Sequence, residues 1–247
     1  FVEGVSVGAP PDDYNADGQD WGFPPLCPAR LEWDGYAYWS RILRVAFEHA
    51  GALRIDHILG LFRQWWVPPG CTPAEGVYVR FPHEALLSVL AMESHRAGAI
   101  VIGEDLGTVP RRVPPALARR GVLSSRVLLF ERERSGRFRP ASRYSGRALV
   151  TANTHDFPPL QGWWRGRDLA LRRALRVVPG DASFAAAREE RAADRRALLA
   201  RLRAAGVLDA DEATRAGEPA TAPGEDDRAP VVAIHRFLAT TGARSSS

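Results

Sequence analysis

Lysine is absent from this 247-residue sequence, and all 33 of its basic side chains are arginine. The net charge is nevertheless only +4, because 29 acidic residues are interleaved with them, as in Arg188-Glu189-Glu190-Arg191. Charge mixed in this way makes a solvated surface rather than the basic stripe of a nucleic-acid binder, so no nucleic-acid partner is expected. Cysteine is scarce too. Cys27 and Cys71 are too few for a disulfide framework and point to a reducing compartment. No apolar run approaches the roughly 18–20 residues needed to cross a bilayer, which excludes a transmembrane helix. No HExxH segment or paired-cysteine spacing is present, so neither a metal nor an organic cofactor is expected. No internal repeat and no export signal are visible, and the expected location is cytoplasmic. Phe1-Val2-Glu3-Gly4-Val5 reads as mid-domain text, and the chain is expected to be a piece of a longer protein.

What is present suits a folded enzyme. Hydrophobic residues make up 45% and charged residues 25% of the chain, a composition that buries a core. Residues 1–35 are rich in Gly, Pro, Asp and Trp and read as a long ordered loop, a feature that is usually functional. Apolar residues at helical spacing predict helices over 36–50 and 83–97 and near 110–120. Strands are expected at 52–57, 99–103, 125–130 and 148–152. Residues 167–206 should be helical with a break near Pro179-Gly180, and 207–229 an exposed excursion. Residues 231–238 read as a last strand or a helix start. Strands alternating with helices argue an α/β fold with parallel strands.

Three of the strands run into acidic residues: Asp56-His57, Glu104-Asp105 and His155-Asp156. In parallel α/β folds, the carboxyl ends of the strands share the face where chemistry occurs. Within Leu53-Arg54-Ile55-Asp56, period-two alternation puts Arg54 and Asp56 on one face. A guanidinium there favours the ionised carboxylate, which suits a nucleophile. Glu104 leaves an apolar strand, where burial favours the protonated form that a general acid needs. This is the division of labour between the two carboxylates of glycoside chemistry. Two alternatives stand beside it. Each acid also has the chemistry to cap the next helix or pair with a surface arginine, and Asp56, His57, Asp156 and His155 have the chemistry of metal ligands. Seven tryptophans add a further signal. An aromatic face matches the C–H face of a sugar ring, although Trp39 and at least one member of each of Trp65-Trp66 and Trp163-Trp164 are expected in the core.

The segments Gly8-Ala9-Pro10-Pro11-Asp12, Gly18-Gln19-Asp20-Trp21-Gly22, Arg54-Ile55-Asp56-His57, Gly103-Glu104-Asp105-Leu106-Gly107 and Thr154-His155-Asp156 resemble those of the 4-α-glucanotransferases, glycoside hydrolase family 77. The resemblance covers residues 4–165. It implies a TIM-like (β/α)8 barrel, here a fragment holding roughly strands 4–8 with an inserted helical stretch. Residues 1–35 would cover the substrate, and 36–166 would be the catalytic half-barrel. Residues 167–230 would be the helical excursion and 231–247 a truncated final barrel element. The implied partners are an α-1,4-glucan donor and acceptor. Asp56 would be the nucleophile, Glu104 the general acid/base and Asp156 the third carboxylate. Arg54, His57, His155, Tyr14, Gln19 and Trp21 would contact substrate, with the loop around Trp21 excluding water. An α-glucan hydrolase or debranching enzyme, and a module that only binds glucan, are the alternative readings. The isolated fragment is expected to be inactive or insoluble.

Overall fold

The computed structural model describes residues 1–12, 15–177, 180–211, 213 and 228–242. The chain divides into two compact units, Phe1–Ser125 and Arg126–Ser247.

The first unit is built on parallel strands β3 (Ala52–Ile55) and β6 (Ile100–Gly103), paired with Leu53 opposite Val101 and Ile55 opposite Gly103. The start of β7 (Leu123–Val127) pairs parallel with the end of β6, Gly103 opposite Ser124. Helices α2 (Ala37–Phe47), α3 (His83–Ala97) and α4 (Val113–Arg119) supply the layer that covers these strands. Leu43, Phe47, Leu87, Leu90, Val101, Val113 and Leu117 are buried together, with Leu53 and Ile55 packed against them. Alternation in β3 therefore has its expected result: Leu53 and Ile55 face the core and Arg54 does not. Trp39 packs against this core, as expected, and its indole N–H donates to the Leu86 carbonyl at 3.1 Å.

Between β3 and α3 the chain makes a 3-10 turn at Ile58–Leu61 and then an antiparallel hairpin, β4 (Arg63–Val67) and β5 (Val77–Arg80). This hairpin, not expected from sequence, joins a second four-stranded sheet in which β4 lies between β5 and two strands from the N-terminal stretch. Strands β1 (Ser6–Ala9) and β2 (Gln19–Asp20) come from the stretch read as loop, and α1 (Pro28–Trp33) follows them. The loop reading is corrected here. Strands of four and two residues are too short to show a period, and β4, the second partner of β1, lies far along the chain.

In the second unit the extended segment around 125–130 ends sooner than expected. Strand β7 stops at Val127, and Leu128–Phe130 form a 3-10 turn. Strand β8 (Ala148–Thr151) lies where expected. Helices α5 (Leu160–Arg165), α6 (Arg167–Ala174) and α7 (Asp181–Ala204) follow, broken around Gly180. Arg191 ties all three together. Its guanidinium donates to both carboxylate oxygens of Asp168 at 2.8 Å and to the Trp163 carbonyl at 2.6 Å, and it stacks on the Trp163 ring. Both Trp163 and Trp164 are buried. The last element is helix α8 (Arg228–Ala239), not a strand. Its residues Pro230, Ala233, Ile234 and Phe237 are buried at helical spacing, which decides between the two readings. Most of the excursion at 207–229 lies outside the described residues.

Candidate active site

The register of the parallel strands places the first two acids. Because Ile55 is opposite Gly103, Asp56 and Glu104 are the next residues at the carboxyl ends of neighbouring strands. The strands stay joined past their ends. The Glu104 N–H donates to the Ile55 carbonyl at 2.9 Å, and the Ile58 N–H donates to the Glu104 carbonyl at 3.0 Å. Gly103 allows this closeness, since a β-carbon there would sit 2.7 Å from the Ile58 Cδ1.

Arg54 donates to Asp56 Oδ1 at 2.6 Å, on the shared face that alternation predicts. Asp56 itself is open to solvent, with 62% of its side chain exposed, so it is available to an incoming molecule. Glu104 leaves the apolar strand β6 half-buried, and both of its carboxylate oxygens accept backbone N–H groups. Oε2 accepts the His57 N–H at 2.9 Å, and Oε1 accepts the Leu106 N–H at 2.7 Å. The next residue, Asp105, is 4% exposed and accepts from the Ser124 hydroxyl at 2.6 Å and the Ser125 N–H at 3.0 Å. Glu104 thus sits on a peptide unit anchored to the neighbouring strand. Sequence reasoning quoted Asp105 without giving it a role.

His57 is the hinge of the arrangement. Its backbone is left-handed, φ 44° and ψ 55°, a conformation that a non-glycine residue adopts at some cost. That turn aims its N–H at Glu104. Burial pushes the imidazole below its ordinary value, the Glu104 and Asp56 carboxylates pull it back, and Arg63 adds to the lowering. The ring is therefore neutral at pH 7, with one donor and one acceptor nitrogen.

The edge of the Trp21 indole meets the His57 ring at 5.3 Å between centroids, at 80°. This contact brings the N-terminal segment onto the strand ends. Trp21 is fixed in turn. Its indole N–H donates to Gln19 Oε1 at 2.8 Å, and its backbone N–H donates to the Val7 carbonyl at 2.9 Å. The motif glycine Gly8 has a steric reason, since a β-carbon there would meet the Gln19 carbonyl oxygen at 2.0 Å. The structure thus brings together Arg54, Asp56, His57, Glu104, Gln19 and Trp21. Tyr14 lies outside the described residues.

In the second unit, His155 and Asp156 follow β8 in a tight turn. The Asn153 side-chain amide donates to the Pro158 carbonyl at 2.8 Å, and the Phe157 N–H donates to the Thr154 carbonyl at 3.2 Å. His155 Nε2 lies 3.5 Å from Asp156 Oδ1, and both side chains are exposed. Among the described residues, no group of three His, Cys, Asp or Glu side chains is arranged to hold a metal. No helix of the described residues is long and apolar enough to cross a membrane.

Comparison with known proteins bears on what this arrangement does. A family model described as 4-alpha-glucanotransferase, glycoside hydrolase 77, matches residues 1–246. The 4-alpha-glucanotransferase of Mycobacterium tuberculosis is 43% identical over 250 residues, covering 99% of this chain and 32% of that protein. That of Haemophilus influenzae is 42% identical over 199 residues, covering 81% of this chain and 28% of that protein. Among solved structures, amylomaltase from Corynebacterium glutamicum superposes with a TM-score of 0.86 at 40% identity, over 97% of this chain and 33% of that one. Amylomaltase from Streptococcus agalactiae in complex with acarbose, at TM-score 0.58 and 23% identity over 72% of this chain and 37% of that one, shares the fold. The chain spans about a third of the length of the relatives it matches most fully.

Proposed function

Because the chain belongs to glycoside hydrolase family 77, the 4-alpha-glucanotransferases, we propose that it carries the catalytic acids of a 4-α-glucanotransferase. The reaction moves a segment of an α-1,4-glucan to the 4-hydroxyl of an acceptor sugar by a retaining double displacement. Residues 36–166 are read as the catalytic part of a (β/α)8 barrel, within roughly strands 4–8 of it.

Glu104 protonates the leaving glycosidic oxygen while Asp56 attacks the anomeric carbon and forms a glycosyl-enzyme. Glu104 then takes the proton of the acceptor 4-hydroxyl, which displaces Asp56. Asp156 is the third carboxylate, gripping sugar hydroxyls, and Arg54, His57, His155, Tyr14, Gln19 and Trp21 contact substrate. The observation that carries this reading is the placement of Asp56 and Glu104 at neighbouring strand ends, bridged by the His57 N–H. The two acids differ in their surroundings: Asp56 is open and clamped by Arg54, whereas Glu104 is half-buried and held in place by two backbone N–H groups. Trp21, held against His57, shields the intermediate from water, so that a sugar hydroxyl rather than water completes the second step.

The test uses the protein encoded by the complete reading frame. Incubated with maltotriose, it should give a ladder of shorter and longer maltooligosaccharides. Glu104→Gln should abolish the ladder yet react with α-glucosyl fluoride, whose leaving group needs little protonation. Mass spectrometry should then find one glucosyl unit on the peptide containing Asp56. A label on any other peptide would refute the assignment, and reducing-end growth without longer products would favour a hydrolase.

A further inference from the structure

The aromatic contact that begins at His57 does not stop at Trp21. Phe23 stacks on Trp21 with centroids 6.0 Å apart and planes at 23°. Its backbone is anchored, the Phe23 carbonyl accepting the Val7 N–H at 2.9 Å, while its side chain is 51% exposed. Beside the ring lies an open groove of about 420 Å³ lined by Glu3, Asp20, Phe23, Pro24, Pro68 and Pro69 among others. The prolines give it apolar walls and the two acids give it hydrogen-bond acceptors. Asp20 is held ready: Oδ1 accepts the Gly22 N–H at 2.9 Å and the Ser6 hydroxyl, while Oδ2 takes no hydrogen bond among the described residues. The Ser6 and Gly22 donors also hold this carboxyl below the usual range, so it is an anion able to accept from a hydroxyl.

Each feature alone is ordinary on a protein surface. Together they make an anchored aromatic plate, a groove with one fixed acceptor at Asp20, and an unbroken run of rings to the residue that touches Glu104. A sugar chain presents the matching chemistry, with C–H faces for the plate and hydroxyls for the carboxylates. We propose that Phe23 and this groove form an outer subsite for the acceptor glucan, holding sugar units beyond the one that meets Asp56 and Glu104. This rests on the glucanotransferase reading, and it assigns Phe23 and Asp20 a role that the sequence did not suggest.

In the complete-reading-frame protein, transfer from one fixed donor to glucose, maltose, maltotriose and maltotetraose measures dependence on acceptor length. Phe23→Ala should lower kcat/KM for the longest acceptors by roughly 3- to 10-fold, the worth of one stacking contact, and leave glucose unchanged. Phe23→Trp should keep the preference for long acceptors. Phe23→Leu, nearer in volume, repeats the comparison if the alanine variant fails to fold. An equal loss for all acceptors, or no change with length, would overturn the subsite while leaving the transferase reading intact. Calorimetric titration of maltohexaose and maltose separates the two further. If the protein shows no transfer but binds maltohexaose in a Phe23-dependent way, the groove holds glucan, and its acceptor role falls with the catalytic reading. If it binds neither sugar, both fall.

Discussion

Glu93 shows how one buried acid can be structural rather than chemical. It is 2% exposed on α3 and accepts from three groups. Arg44 reaches it at 2.9 and 3.0 Å, the Ser40 hydroxyl at 2.6 Å and Arg96 at 3.1 Å, so it pins α2 to α3. The Arg44 hydrogen bonds outweigh the cost of burial and, with Ser40 and the nearby arginine charges, bring its carboxyl down to about 2 from 4.5. A carboxyl lowered on folding stabilises the folded state above its unfolded value and loses that contribution as pH falls through its folded value. Glu93→Gln should therefore cost about 1–3 kcal/mol near neutral pH, as for hydrogen bonds to charged groups. Urea melts of the two proteins should converge as pH drops from 4.5 towards 2. A gap that stays constant over that window would show that Glu93 is not ionised in the fold. In sequence this residue gives no signal, since an acid within a helix reads as surface.

At the scale of elements, the N-terminal segment reaches the proposed site through β1 and β2. These strands place Trp21 against His57, and Gly8 is the point where they come closest. A methyl group at Gly8 must push β2 away from β1. Gly8→Ala should leave the parallel strands intact and move Trp21, lowering transfer at least 10-fold with a melting shift of only a few degrees, roughly what 1 kcal/mol gives. Loss of cooperative unfolding in this variant would instead show that the small sheet is part of the core's stability. The motif containing Gly8 was legible as a motif, but its strand was not, because four residues carry too little alternation to register. The β4–β5 hairpin escaped for a related reason. Trp65-Trp66 read as an apolar pair, and its antiparallel partners Val7, Gly8, Tyr78 and Val77 are supplied from elsewhere in the chain. Helices α2, α3 and α4 were readable because their apolar faces repeat within one segment.

For the molecule as a whole, the open edge of the parallel sheet matters most. Among the described residues, β3 pairs on one side only, with β6. An unpaired strand edge invites association with other chains. The 247 residues expressed alone are thus expected to aggregate or to give no maltotriose disproportionation. A soluble, monomeric and active 247-residue protein, by light scattering and product analysis, would show that the edge needs no cover.

Sequence alone determined the candidate acids and the local order. Alternation put Arg54 beside Asp56, apolar runs located β3, β6 and β8, and the glycine, proline and tryptophan motifs marked the family. Those properties depend on near neighbours in the chain, so they survive being read in one dimension. Only the tertiary structure decided that Asp56 and Glu104 leave adjacent strands, that Glu104 is gripped by the His57 and Leu106 N–H groups, and that Trp21 closes on His57 with Phe23 stacked behind it. Each of these is a contact between distant segments, set by strand register and by a left-handed turn at His57, and no local pattern of residues encodes either one.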